Sequence, residues 1–268
     1  MNFLSPEEQQ ISEKFQNQGF LIESVEDRGI LDEIRNLVCE IIESSIGPCT
    51  EDPEETLNNF HNKIPISELN QARLKIIQGL NEQDWLRPKF FYLVRPWLEK
   101  LVGNELTMQL RLNLSIQMPK DDSSLLPIHS DAWGGDSPFE VVIWLPLVDC
   151  YGSKSMFLLP PGPTMELHDN FQNLAGQSSE VIFKSVEEDL IWMNVKYGEF
   201  LLFNHNLPHG NRVNKETETR WSINCRFKGV FTPHSEKKIG EFFEPITLRA
   251  ASKIGLSYQY PILKGNKS

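Results

Sequence analysis

His129 and Asp131 lie two positions apart in the stretch Pro127-Ile-His-Ser-Asp-Ala-Trp-Gly-Gly135. On an extended segment they project from one face, because side chains alternate across a strand. One imidazole and one carboxylate then converge on one point, and a third ligand is needed to close a facial site. The best candidate is His209, in Phe203-Asn-His-Asn-Leu-Pro-His-Gly-Asn211. Two neutral imidazoles and a carboxylate on one side of an ion are the usual protein ligation of non-haem Fe(II), with open positions for a co-substrate and dioxygen. The same three residue types also suit Zn²⁺, so a zinc hydrolase stands beside the iron reading.

Eleven positions after His209 (220 − 209) comes Arg220, followed by Trp-Ser-Ile-Asn-Cys-Arg-Phe. On a strand, Arg220, Ser222, Asn224 and Arg226 share a polar face, and Trp221, Ile223, Cys225 and Phe227 share an apolar one. In order, type and spacing, His129, Asp131, His209, Arg220 and Ser222 resemble the signature of the Fe(II)/2-oxoglutarate-dependent dioxygenases. That resemblance implies Fe(II) on His129, Asp131 and His209, with 2-oxoglutarate and O2 as co-substrates and a hydroxylated C–H bond as the simplest product. Arg220 has a physical reason to be there, since its planar fork can hold the far carboxylate of 2-oxoglutarate with two parallel hydrogen bonds and Ser222 can add a third. A carboxylate clamp of this kind is needed neither by a zinc hydrolase nor by a non-catalytic sugar-binding jelly roll. His205, four positions before His209, is the fallback ligand. His209 is preferred for its distance to Arg220 and for Gly210, which lets the backbone pass close to a metal.

Met108 to Met118 alternates, with Arg111, Asn113, Ser115 and Gln117 on one face and Leu110, Leu112, Leu114 and Ile116 on the other. A polar face on a mid-barrel strand is expensive unless it lines a wet cavity, so this face is expected to point into the site. Asn113 and Gln117 are then expected beside the cofactor. Arg111, Asn224, Arg226 and Trp133 are expected at the substrate, with Trp133 stacking on a flat apolar face such as a sugar ring. The run from residue 105 to 230 is similar to bacterial oxygenases of carbohydrate and surface-polysaccharide pathways, including Kdo hydroxylases. The substrate that likeness implies is a sugar or sugar acid, with an amino acid or natural product as the alternative.

The elements that must position these residues fit 268 residues as a single domain. Residues 1–104 read as a mostly helical layer, 105–232 as a jelly-roll core and 233–268 as a C-terminal wrap. The whole is mainly β with helical additions, a cupin-like double-stranded β-helix, because many short strands follow one another without βαβ alternation. Ser5-Pro6-Glu7-Glu8 is a capping box for a helix ending near Gly19, Phe20–Val25 a strand, and Ile30 to Ile42 an amphipathic helix. Residues 49–59 read as an acidic solvated loop, followed by helices from Ser67 to Gly79 and from Glu82 to Lys100, the latter kinked at Pro88 and Pro96. Later strands are expected at 139–148, 156–160, 181–183, 191–193, 199–203 and 221–230. The polar stretch from Thr164 to Glu180 is a candidate lid.

Charge narrows the partners. Lys and Arg number 26 against 37 Asp and Glu, a formal net charge of −11, which repels nucleic acid. The partner expected is therefore a small molecule; the oligomeric state is left open. The four cysteines, Cys39, Cys49, Cys150 and Cys225, form no Cys-x-x-Cys pair and no dense framework, and there is neither a leader pattern nor an apolar run of membrane length. Free thiols and a cytoplasmic protein are expected.

Overall fold

The computed structural model describes residues 3–174 and 176–261. Five helices come first, interrupted by one strand. Helix α1 (Pro6–Gln18) begins on the expected capping box, in which Ser5 and Glu8 exchange side chain-to-backbone hydrogen bonds, and stops at Gly19, whose φ of 77° few other residues adopt at low strain. Strand β1 (Phe20–Ser24) leads to α2 (Arg28–Ser45), capped by Asp27. Leu31, Ile34, Val38 and Ile42 of α2 are wholly buried, three and four residues apart, so the helix is held by one apolar stripe.

The acidic stretch expected to be a solvated loop is instead a helix, α3 (Pro53–Asn58). Asp52 caps it and Pro53 opens it, so two residues that read as loop formers are helix starters here. Its last turn is buried at Thr56, Leu57 and Asn58. Helix α4 (Ile66–Asn81) starts one residue before the expected N-cap, with Pro65 in the cap position and no side-chain cap. Helix α5 (Leu86–Leu101) runs through Pro96 as a single assigned helix and carries Pro88 in its first turn, where a missing N–H is harmless.

The β-rich part follows as β2 (Leu106–Gln109), β3 (Asn113–Gln117), β4 (Val141–Pro146) and β5 (Phe157–Leu158). Three short helices, α6 (Pro161–Asp169), α7 (Phe171–Leu174) and α8 (Ser179–Val186), precede β6 (Ile191–Trp192), β7 (Glu199–Asn204), β8 (His209–Gly210) and β9 (Arg220–Gly229). Strand β10 (Phe243–Pro245) and helix α9 (Ala250–Ser257) end the described chain. In the tail β10 pairs β2, and residues 262–268 of the expected C-terminal wrap lie outside the described residues. A larger antiparallel sheet has the order β1-β7-β4-β9-β2-β10 with β3 also paired to β9, and a smaller one has the order β6-β5-β8.

Three expectations are corrected here. Met108–Met118 is two strands, because the Asn81 side chain at the end of α4 takes both the N–H and the C=O of Leu112, at 2.8 and 3.0 Å, and breaks the ladder. Residues 181–183 are helical within α8, where Ser178 caps Val181 and Phe183 and Val186, three apart, are buried. The candidate lid is α6, α7 and the start of α8 rather than a loop, with Ala175 outside the described residues.

The helices cover the outer face of β9. Trp221, wholly buried, meets Phe60 edge-on at 4.9 Å, and its indole N–H donates to the Leu57 carbonyl at 2.8 Å. Phe227 stacks on Phe90 of α5 at 6.5 Å. Burying side chains of this size stabilises by roughly 2–3 kcal/mol each, which fixes β9 from behind. No helix among the described residues is long and apolar enough to cross a membrane.

Candidate active site

His129 and His209 are neighbours across an antiparallel bridge. Each backbone N–H donates to the other's carbonyl, at 3.0 and 2.8 Å, and the rings lie 4.4 Å apart. Both rings are set the same way: His129 Nδ1 faces the Pro127 carbonyl and His209 Nδ1 the Leu207 carbonyl, each at 2.8 Å and two residues back. An Nδ1–H held on a carbonyl leaves the Nε2 lone pair free. Asp131 is not on a continuing strand. It opens a 3-10 turn over Asp131–Gly134, with its backbone N–H on the His205 carbonyl at 3.2 Å. Convergence survives the change: ligand atoms of His129, Asp131 and His209 all lie within 4.8 Å of one another.

Electrostatics separate the two histidines. Burial, with help from His129, pushes the His209 imidazole down to about 4, so it is neutral at physiological pH. Burial also pulls on His129, but the Asp131 carboxylate and the Pro127 carbonyl outweigh it and its value is raised. Burial opposes ionisation of Asp131, yet His129, His205 and Arg226 outweigh it and hold the carboxyl far below its usual range. The two carboxylate oxygens are divided. Oδ1 lies 3.6 Å from His129 Nε2, and Oδ2 accepts from Arg226 at 2.8 Å and sits 3.3 Å from His205 Nδ1.

His205 is thus behind Asp131 rather than opposite it. It is wholly buried, and its Nε2 lies 2.8 Å from the Ser137 carbonyl. Asp131, Asp136 and His205 form a second group with metal-compatible spacing, but Arg226 and Lys237 already occupy its carboxylates. At Gly210 a Cβ would fall 2.6 Å from the Leu126 carbonyl and 2.9 Å from the Phe157 ring, so the chain itself passes close to this glycine.

The three side chains open into a cavity of about 480 Å³ walled by both sheets. Arg220 lines it while only 3 % exposed, and burial lowers its guanidinium to about 10, which leaves it cationic at neutral pH. One arm donates to the Ser155 carbonyl at 3.0 Å and the other to Ser115 Oγ at 2.7 Å. Of its five N–H donors, three remain, and its Nε has no protein partner among the described residues. Ser222, wholly buried on the same face of β9, likewise has an Oγ without a protein partner, but like Gln117 it is not among the residues that line the cavity. A buried cation with unused donors at a cavity wall is a fitting cradle for a carboxylate.

Other expected residues divide. Asn113 and Asn224, opposite each other in register, line the cavity and are joined at 3.0 Å. Gln117 pairs with Arg220 in register, but is wholly buried and gives its amide N–H to the Arg212 carbonyl, so it does not wall the cavity. Arg226 does line it, spent on Asp131 rather than facing only a substrate. Arg111 is exposed and outside the lining, displaced by the break between β2 and β3. Trp133 is also outside: the 3-10 turn swings it onto His168 and Phe171, and its indole N–H donates to His168 Nε2 at 3.1 Å. Trp144 of β4 is the tryptophan in the wall. Arg73 of α4 also lines the cavity, and nothing in the helical periodicity of that segment sets it apart.

No protein-family model matches the chain, and no curated protein matches its sequence. Solved structures do match its fold. A non-heme monooxygenase, ThoJ, in complex with nickel is similar over 90% of this chain and 85% of its own, at 12% identity and a TM-score of 0.58. HygX from Streptomyces hygroscopicus with nickel and 2-oxoglutarate bound is similar over 86% and 89%, at 17% identity and 0.52. The epimerase SnoN, in complex with Fe³⁺, α-ketoglutarate and nogalamycin RO, is similar over 91% and 93%, at 15% identity and 0.53. The likeness is one of fold: the jelly roll of non-haem iron and 2-oxoglutarate enzymes, with helices packed on it.

Proposed function

We propose that this protein is an Fe(II)- and 2-oxoglutarate-dependent oxygenase that hydroxylates a C–H bond of a small organic molecule. The observation that supports it most is the shared cavity. Two imidazoles with fixed tautomers, one carboxylate and a buried arginine with spare donors face one space. In this reading His129, Asp131 and His209 hold Fe(II), and Arg220 with Ser222 holds the far carboxylate of 2-oxoglutarate. The bound group supplies the oxidising chemistry: 2-oxoglutarate and O2 become succinate and CO₂, and one oxygen atom replaces a substrate hydrogen by hydroxyl. The chain's own residues do the rest. Arg226 keeps one Asp131 oxygen occupied so that the other is presented. Leu114, Val142, Met156 and Phe203 line the same wall and exclude water.

For the substrate, the amide pair Asn113–Asn224 supports a polar molecule, so sugars and sugar acids, Kdo-like ones included, are one class to screen. Natural products are the other, supported by the neighbour SnoN with nogalamycin RO bound. Unpaired cysteines agree with a reducing compartment such as the cytoplasm.

Anaerobic addition of Fe(II) and then 2-oxoglutarate tests the reading. The expected result is a weak visible charge-transfer band in the wild type that is absent from His209→Ala. A folded, iron-loaded wild type without the band refutes it.

A further inference from the structure

Ten arginines occur in the chain, and seven of them have a carboxylate within 4.0 Å: Arg28, Arg35, Arg87, Arg95, Arg212, Arg226 and Arg249. In a protein with a net charge of −11 that is the ordinary outcome. The three others are Arg111, which is exposed on the surface, and Arg220 and Arg73, which both line the cavity. Arg73 is half-buried on α4, and its guanidinium donates to Asn70 Oδ1 at 2.6 Å, an amide that orients it without neutralising it. Among the described residues the one carboxylate in the cavity wall is Asp131, which Arg226 already holds. If Arg220 serves 2-oxoglutarate, one cation of the cavity is left with no anion.

The wall also carries an unusual apolar feature. Leu125 and Leu126 line the cavity while 37 % and 50 % exposed. They sit on a fixed strap: Asn211 accepts the Leu126 N–H on its side chain at 2.6 Å and gives its own backbone N–H to the Leu126 carbonyl at 2.9 Å. Asp121 ties down Ser123 two residues before, at 2.8 and 2.6 Å. Exposed leucines on a pinned loop at a cavity wall are preorganised apolar surface, the kind that ligand sites use.

We infer that the substrate is an organic anion with an apolar body, its charged group held by Arg73 and its body lying on Leu125 and Leu126. This deepens the proposed oxygenase reading and rests on it. A carboxylate, sulfonate or phosphate would each satisfy the planar fork of the guanidinium.

A matched pair of dyes tests this without knowing the substrate. 1-Anilinonaphthalene-8-sulfonate and N-phenyl-1-naphthylamine share their rings and differ by the sulfonate. Both are titrated by fluorescence, without oxygen, into the full chain loaded with Fe(II) and 2-oxoglutarate, so that the Arg220 cradle is filled. Arg73→Gln should weaken the sulfonate dye about tenfold, equivalent to about 1.4 kcal/mol, and leave the neutral dye unchanged, while Arg73→Lys restores part of the loss. Leu126→Ser should weaken both dyes. The inference is overturned if the sulfonate dye fails to bind the wild type, if Arg73→Gln changes its affinity less than twofold, or if both dyes weaken equally in that variant. The charge-transfer band read in the same samples separates the two failures. With the band present and Arg73 without effect, the oxygenase reading stands and the anion site falls; with no band, the oxygenase reading itself fails.

Discussion

Replacing Arg220 by Met removes a buried cation while keeping much of its volume. Without 2-oxoglutarate the loss is partly self-compensating. The wild type bears the desolvation of a guanidinium only 3 % exposed, with an Nε that has no protein partner, and it gains hydrogen bonds to Ser155 and Ser115 and attraction from Asp121. Removing the guanidinium lifts that penalty but leaves the Ser155 carbonyl and Ser115 Oγ without their donor, and a buried group left unpaired costs about 1–3 kcal/mol, so the unfolding free energy should fall by about 1–3 kcal/mol. Binding of 2-oxoglutarate is different. Two charge-assisted hydrogen bonds contribute about 1.5–3 kcal/mol each. At 1.4 kcal/mol per tenfold, their loss raises the Kd by at least about a hundredfold. Arg220→Lys keeps the charge but not the fork and should fall between. The assay is an anaerobic 2-oxoglutarate titration of the Fe(II)-loaded protein, read by the charge-transfer band, with metal content and thermal unfolding measured alongside. A metal-loaded, folded Arg220→Met variant that binds 2-oxoglutarate within threefold of the wild type would falsify the cradle.

Arg226→Leu takes the 2.8 Å donor from Asp131 Oδ2; Fe(II) or Co(II) titration should show affinity about tenfold to a hundredfold weaker, as for other supports of a metal ligand, and an unchanged affinity would show that Arg226 does not position Asp131. Gly210→Ala would force a Cβ to 2.6 Å from a backbone carbonyl; overpacking of that kind costs roughly 1–3 kcal/mol, visible as a lowered urea midpoint, and an unshifted midpoint would contradict the packing. Burial pushes the Cys150 and Cys225 thiols up to about 12. A group whose folded value is raised binds its proton more tightly in the native state, so its stabilisation is whole below the ordinary value of 9.0 and is lost as pH climbs from there towards 12. Urea unfolding at a series of pH values should show that decline, and a thiol reagent at pH 8 should leave both residues unmodified until the chain unfolds.

The site was legible where one chain segment carries several members. His129 and Asp131 converge although Asp131 sits on a 3-10 turn and not on the expected strand, whereas the face of β9 with Arg220, Asn224 and Arg226 reads out because spacing along a strand maps onto geometry. Helix α1 and the stripe of α2 read out for the same reason. What failed was set by distant partners. Arg111 left the expected face because Asn81, thirty-one residues before Leu112, takes the Leu112 backbone. Trp133 left it because a 3-10 turn follows Asp131 and His168 receives the indole N–H. Helix α3 was hidden by acidic residues and proline, which mark a loop and a helix start equally well. Arg73 carried no local signal at all, since the tertiary packing of α4 beside the sheet alone brings it to the cavity.

Strand β9 has a consequence for how this chain can vary through descent. Its ten residues pair with β2, β3 and β4, and alternate ones serve the cavity and the helical layer. A point substitution therefore alters one role at a time and can be graded in effect. Gain or loss of a single codon within the strand would instead exchange the two faces for every strand residue beyond it, for example turning Phe227 towards the cavity and Arg226 towards the aromatic layer. Lineages carrying this site are thus free to drift in residue type along β9 and barred from drifting in its length, while the surface turns on either side can absorb insertions.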